Sequence, residues 1–184
     1  MKRTLSVIVL LLFVLSLSGC KTRYEPPPKI TEGEFPFVVE YEYNGERVLI
    51  EDTIVCTYDG YDMSNNFAIF GYPYSRTWDI TIKSGKEPKR TIIEFEENSK
   101  SVFVKGRVNT ESRVIWSYGT GGYYMGDPED AKTGPFIHYF ERYNITSKIN
   151  MYDSTELTKE QLEKYFGIKL IRFEFSEPIV NTFE

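Results

Sequence analysis

Phe-Pro-Phe-Val-Val-Glu-Tyr-Glu-Tyr-Asn-Gly-Glu-Arg-Val-Leu-Ile-Glu-Asp-Thr-Ile-Val-Cys-Thr-Tyr, residues 35–58, is the stretch that decides the fold. Every second residue from Phe35 to Tyr43 is apolar, while Glu40 and Glu42 fall on the opposite face. This period of two is typical of a half-buried strand. Because an Asn-Gly pair follows directly, we expect a type I′ turn and an antiparallel return strand from Glu46 to about residue 58.

The rest of the chain continues this strand pattern until one short helix. Thr158 and Gln161 form a capping box, Leu157 and Leu162 a hydrophobic staple, and Gly167 supplies a left-handed end. Further strands are predicted at residues 76–84, 90–97, 101–109, 113–118, 136–143, 145–152 and 168–175. The pattern therefore predicts a mainly β protein, an antiparallel β-sandwich or partly open barrel with one short C-terminal α-helix.

Two finer expectations concern turns and burial. Asp59-Gly60 is expected to form a second turn, followed by a packed loop over residues 61–75. In the strand at 101–109, the alternation predicts that Val102, Val104 and Val108 point inward.

The first twenty residues have the features of an export signal. Lys2 and Arg3 precede an apolar run from Leu5 to Leu17, and the small pair Ser18-Gly19 precedes Cys20. The run is shorter than the roughly 20 residues that a bilayer core requires. This segment resembles the bacterial lipoprotein signal with its lipobox. The resemblance implies that Cys20 carries a diacylglyceryl group on sulfur and becomes the first mature residue.

These features divide the chain into three parts. Residues 1–19 are read as the signal peptide, 20–34 as the lipidated cysteine and a Pro-rich tether, and 35–184 as a single β-rich extracytoplasmic domain. Pro26 to Pro28 favour an extended conformation, so the tether is expected to form a stalk of about 40 Å. The expected location is the extracytoplasmic side of the cell membrane, with the lipid as anchor.

Charge and cysteine content restrict the classes of partner. Without the signal, 20 basic and 27 acidic residues remain, a net charge of −7. Nucleic acid and anionic headgroups are poor partners for such a chain because both require a basic face. Once Cys20 is lipidated, Cys56 is the only thiol, so an internal disulfide is excluded. We expect Cys56 to be buried and inert in its apolar strand.

The segment from Gly119 to Gly134 is the longest one without periodicity in the mature region. It lacks the glycine pattern of a nucleotide-binding loop. Long loops with aromatic residues often contact ligands, so Tyr118, Tyr123, Tyr124 and Asp127 are the candidate binding residues, with ordinary loop packing as the alternative.

Other polar residues give no catalytic or metal motif. The carboxylates at Asp127, Glu129 and Asp130 depart from calcium-loop spacing and favour a solvated acidic turn. His138, the only histidine, is expected to be a satisfied core or interface residue. We therefore predict no catalytic residue, no metal site and no cofactor besides the covalent lipid.

Several short stretches across the mature region carry a second resemblance. They are Glu34–Phe37, Glu51–Cys56, Tyr123–Asp127 and Gly167–Leu170. In these the chain resembles a group of small uncharacterised lipoproteins of Gram-positive bacteria. That resemblance implies no activity and no functional residue beyond Cys20.

The sequence as a whole points to a membrane-anchored, non-enzymatic binding or accessory module. Its expected partner is a protein or glycan at the cell surface, contacted through the Gly119 to Gly134 loop and neighbouring tyrosines. Two alternatives stay open. One is an envelope hydrolase whose carboxylates converge only in the fold, and the other is a purely structural envelope component.

Overall fold

Two four-stranded antiparallel sheets form the domain. The computed structural model describes residues 24–64, 73–130, 133–146 and 149–184, so the signal peptide and Cys20 lie outside the described residues. The strands are β1 (Glu32–Tyr43), β2 (Glu46–Tyr61), β3 (Arg76–Ile82), β4 (Thr91–Glu94), β5 (Glu111–Ser117), β6 (Phe136–Thr146), β7 (Ile149–Glu156) and β8 (Lys169–Phe175); the helices are α1 (Gly121–Tyr124) and α2 (Lys159–Phe166). One sheet has the order β3-β2-β1-β8 and the other β4-β5-β6-β7. The mainly β, antiparallel prediction is confirmed.

The hairpin of β1 and β2 forms as its sequence predicts. Asn44 and Gly45 have φ angles of 52° and 78°, the left-handed values that a type I′ turn requires. The predicted turn at Asp59-Gly60 is wrong, because β2 continues to Tyr61. A register shift between Tyr58 and Gly60 leaves Asp59 as the extra residue, and Gly60, with a φ of 99°, pairs with Thr77 of β3. The second strand is therefore long and bulged near its end.

The inner faces of the two sheets meet in one core. Phe37 of β1 has its ring centroid 5.7 Å from that of Trp116 in β5 and stacks on Phe175 of β8 at 5.3 Å. Trp116 is fully buried, and so is Val114 two residues before it. Alternate residues of each strand thus face the opposite sheet, which is the packing of a β-sandwich.

The predicted strand at 101–109 is wrong. Apart from an isolated bridge between Lys100 and Val108, this segment forms turns, and Val102, Val104 and Val108 are exposed. The Ser101 hydroxyl accepts hydrogen bonds from the backbone N–H groups of residues 103 and 104, and Gly106 has a φ of 83°. A local side-chain hydrogen bond and a left-handed glycine thus replace strand pairing.

Helix α2 begins and ends as predicted. The Thr158 hydroxyl accepts from the Gln161 N–H and the Gln161 side chain accepts from the Thr158 N–H, while Gly167 ends the helix at φ 65°. Leu162 and Phe166 turn into the core, and the Phe166 ring lies 5.2 Å from that of Tyr139 in β6. The helix therefore covers the end of the second sheet.

The segment expected as a free tether is part of the domain from Tyr24 onward. Tyr24 forms a parallel bridge with Tyr74, and β1 itself begins at residue 32. Further along, the Asn181 side chain accepts from the Ile30 N–H at 3.0 Å and donates to the Ile30 carbonyl at 2.8 Å. Residues 24–34 do not extend as a 40 Å stalk, because distant strands and the carboxy-terminal tail supply their hydrogen bonds. No helix in the described part of the chain is long and apolar enough to cross a bilayer.

Candidate functional site

The middle of the segment that follows β5, residues 121–125, is packed into the domain. A Cβ on Gly121 would lie 2.7 Å from the Cβ of Trp78, so only glycine lets α1 approach β3 this closely. Tyr124 and Met125 are fully buried, and the Tyr124 hydroxyl donates to the Tyr118 carbonyl at 2.6 Å. Burial raises the pKa of Tyr124. This placement argues against Tyr124 as a contact for a surface partner, because its side chain has no exposed area.

Asp127 is buried in an ion pair. Its Oδ2 accepts from Arg76 Nε at 2.8 Å and from Trp78 Nε1 at 2.9 Å, while its Oδ1 accepts from the second guanidinium nitrogen at 2.6 Å and from the Glu129 N–H at 3.2 Å. Burial alone would raise the pKa of Asp127, but the hydrogen bonds from Arg76 and Trp78 outweigh burial and lower it. Asp127 is thus a structural anion and not part of a solvated acidic turn.

Arg76 joins three separate parts of the chain. Besides Asp127, it donates to the Pro26 carbonyl at 3.0 Å and lies 3.4 Å from the Glu25 carboxylate. Its guanidinium carbon is 4.2 Å from the centre of the Phe183 ring. The amino-terminal segment, the loop after β5 and the carboxy-terminal tail therefore meet at one buried cation. The 51 positions between Arg76 and Asp127 explain why local sequence patterns do not reveal the pair.

Each buried carboxylate of the described chain faces an arginine. The pairs are Glu40 with Arg47, Asp127 with Arg76, and Glu141 with Arg107. Within the described ranges, no group of three or more His, Cys, Asp or Glu side chains could hold a metal ion. A glycosidic mechanism requires one acid with a raised pKa beside a second, free carboxylate. Each of these three buried acids is the partner of an arginine.

Cys56 and His138 have ordinary structural surroundings. Cys56 is fully buried, as expected, and burial raises the pKa of its thiol to about 12. The His138 Nδ1 shares a hydrogen bond with the Ser154 hydroxyl across the β6–β7 pair, and its ring meets Phe136 edge-on. Burial and the nearby charge of Arg113 lower the pKa of His138.

Tyr118 and Tyr123 keep part of their surface exposed. The Tyr118 hydroxyl donates to Glu87 Oε1 at 3.2 Å, and the Arg90 guanidinium lies 5.1 Å from its ring centre. A cleft of about 540 Å³ near Tyr118 is lined by residues 87–91 and by residues of β5 and β6, and neither tyrosine is part of its lining. Of the four tyrosine and aspartate residues predicted from the loop, these two tyrosines stay candidates for contact with a partner.

A second group of exposed apolar side chains lies elsewhere in the described chain, on the distal half of the β6–β7 hairpin. We call this half the β6–β7 arm and define it as residues 142–146 and 149–154. Four of its apolar side chains are exposed, from 42% at Met151 to 73% at Tyr152, with Ile145 and Ile149 between these values. Among the described strands, β7 is the last in its sheet and pairs with β6. The predicted strands 136–143 and 145–152 placed the break between them at Asn144, whereas Asn144 lies within β6 and pairs with Asn150 of β7. The pattern also did not predict that the strands extend beyond the core.

Comparison with known proteins found no family model, no curated protein and no solved structure that matches the chain. The class defined by the fold is a two-sheet β-sandwich-like domain.

Proposed function

We propose that the protein is a membrane-anchored extracytoplasmic lipoprotein that acts as a binding module and holds a protein partner along the β6–β7 arm. The lipobox-like leader and Cys20 support the anchor. One structural observation carries the binding role, which is the open apolar edge of β7.

The first half of the β7 edge, Ile149–Tyr152, carries no charged residue and no proline, whereas Asp153 and Glu156 lie in its second half. Soluble proteins protect exposed edges with lysine, proline, bulges or a covering element. The sequence of β7, Ile-Asn-Met-Tyr-Asp-Ser-Thr-Glu, contains neither lysine nor proline, and seven of its eight residues are exposed. An extended segment of a partner can add to this edge through main-chain hydrogen bonds and cover Ile149, Met151 and Tyr152. The partner therefore has an extended, partly apolar segment.

Site-specific photo-crosslinking in intact cells tests the binding role. A photo-reactive phenylalanine analogue at Tyr152 should give one discrete adduct with another protein. The same analogue at Val180, which is 92% exposed on the tail, is the matched control and should give none. Equal adducts from both positions, no adduct from Tyr152, or an adduct with a second copy of this chain would refute the proposed partner.

A charged edge provides a second arm of that experiment. In the variant I149K/Y152K, with the crosslinker moved to Met151, the adduct should disappear while the circular dichroism spectrum stays unchanged. Lysine on an edge strand opposes pairing without disturbing the buried face. An adduct that persists at equal yield would show that the edge is not the contact.

The anchor has its own test. Cys20→Ala should move the protein from the membrane fraction to the medium or periplasm, because the substitution removes the attachment point of the acyl chains that hold the protein. Membrane association that continues in this variant would refute the anchor and leave the crosslinking result independent of it.

A further inference from the structure

An exposed aromatic patch lies where the described chain begins. We call it the Tyr24 patch and define it as Tyr24, Tyr61, Met63 and Tyr74. The Tyr24 ring is 4.9 Å from the Tyr61 ring and 5.5 Å from the Tyr74 ring. Tyr24 is 45% exposed and Met63 61%. The patch therefore presents amphipathic rings and an apolar side chain to the surroundings.

The patch occupies one end of the first sheet. Strand β2 ends at Tyr61 and β3 begins at Arg76, so both contribute their ends to it. The opposite end of β2 follows the Asn44-Gly45 turn. With 16 residues at about 3.3 Å each, β2 separates the two ends by about 50 Å. The patch and the hairpin turn are thus at opposite poles of the sheet.

Tyr24 is fixed to this end by hydrogen bonds around its neighbour Glu25. The Glu25 N–H donates to the Tyr74 carbonyl at 3.3 Å, and its carbonyl accepts from the Tyr61 hydroxyl at 2.8 Å. Its carboxylate accepts from the Arg76 N–H at 3.2 Å. The orientation of the whole domain is therefore coupled to the direction in which the chain leaves Tyr24.

Covalent geometry places the proposed anchor beside the patch. Cys20 precedes Tyr24 by four residues, which span at most about 14 Å. The headgroup layer on one side of a bilayer is about 5–8 Å thick. If Cys20 carries the acyl chains, Tyr24 lies in the headgroup layer or at most about 6–9 Å above it. The length of chain outside the described structure thus decides what covers the patch.

We propose that the Tyr24 patch is the membrane-facing surface of the domain, with its tyrosine rings in the headgroup layer of the bilayer. Tyrosine suits this layer because its ring is apolar and its hydroxyl is polar. This inference rests on the proposed anchor at Cys20. The first sheet then points away from the membrane, and the Asn44-Gly45 turn lies about 50 Å further out.

Depth-dependent fluorescence quenching on the full lipidated protein tests this orientation. The protein is reconstituted in vesicles of zwitterionic phosphatidylcholine, and flotation first shows that it is anchored. A single environment-sensitive fluorophore is then attached at Met63→Cys or, as matched control at the other end of β2, at Glu46→Cys. Acylated Cys20 and buried Cys56 leave the introduced thiol as the reactive one.

A spin-labelled lipid with its quencher near the headgroups should quench the fluorophore at Met63→Cys several-fold more than that at Glu46→Cys. Equal quenching, or stronger quenching at Glu46→Cys, would refute the orientation while flotation still supports the anchor. Failure of the wild-type protein to float would instead refute the anchor and, with it, the basis of this inference.

A variant separates the role of the rings from that of the short connection. Tyr24→Ser with Tyr74→Ser should reduce quenching at Met63→Cys at least two-fold while flotation and the urea midpoint stay unchanged. Undiminished quenching would show that the anchor alone brings this end to the membrane, which would contradict the seating of the rings.

Discussion

Asp127→Ala is expected to destabilise the domain severely. The side chains of Asp127 and Arg76 are each 3% exposed. Removing the carboxylate leaves the guanidinium with the more distant Glu25 and Glu129 as counter-charges and leaves the Trp78 N–H without its acceptor. Breaking one side of a buried ion pair costs about 3–5 kcal/mol, and we expect a loss of unfolding free energy in that range. Such a loss is a large fraction of the total unfolding free energy of a single domain.

Urea unfolding followed by circular dichroism measures this loss, and a double-mutant cycle tests its cause. Arg76→Met with Asp127→Leu should lose less stability than the sum of the two single variants, because neither charge then remains unpaired. A loss below about 1 kcal/mol for Asp127→Ala, or strict additivity in the cycle, would refute the reasoning.

The same pair predicts an effect of pH. The folded pKa of Asp127 is lower than its ordinary value. The stabilisation is therefore complete above the unfolded pKa of about 3.9 and is lost as the pH falls toward the folded pKa. Between pH 5 and pH 2, the Arg76→Met/Asp127→Leu variant should lose less stability than the wild-type protein. An identical slope in both proteins would contradict this assignment.

Three further predictions concern single residues. Gly126→Ala should cost more unfolding free energy than the control Gly106→Ala. Both glycines have positive φ, which costs an alanine roughly 1–2 kcal/mol, but only at Gly126 would a Cβ also lie 2.4 Å from the Ile179 carbonyl oxygen. Equal losses of stability in urea would contradict this reasoning. The Cys56 thiol, with a pKa of about 12, should resist a thiol reagent at pH 8 until urea unfolds the protein, and rapid native labelling would count against its burial. Thr158→Ala should lower stability by about 1 kcal/mol through loss of the helix cap, and an unchanged urea midpoint would show that the cap is dispensable.

Sequence patterns predicted those elements that short-range contacts determine. The Asn44-Gly45 turn and the Thr158-Gln161 capping box depend on residues within four positions of each other, so their local chemistry is sufficient. The segment at 101–109 has the alternation of a strand, yet the Ser101 hydroxyl and Gly106 form turns there. The alternation of apolar and polar residues does not show whether a local side-chain hydrogen bond competes with strand pairing.

Long-range contacts account for the rest. Pro26 to Pro28 suggested a free stalk, but residues 25–30 bond to Tyr74, Arg76 and Asn181, which lie at least 49 positions away. Likewise, Asp127 looked solvated because Arg76 is far away in the sequence. The sequence also did not reveal the exposure of the β6–β7 arm, because Ile149 and Met151 are residue types that are usually buried.

The docked amino-terminal segment also has a mechanical consequence. Under the proposed anchor at Cys20, a force that pulls the domain away from the membrane acts first on Tyr24 and is carried by the few hydrogen bonds between residues 24–31 and their neighbours. These bonds hold much less than the twelve paired residues of β1 with β2. Peeling of this segment would lengthen the connection by about 25 Å while the sheets stay intact. Residues 24–31 can therefore detach under force before the two sheets unfold.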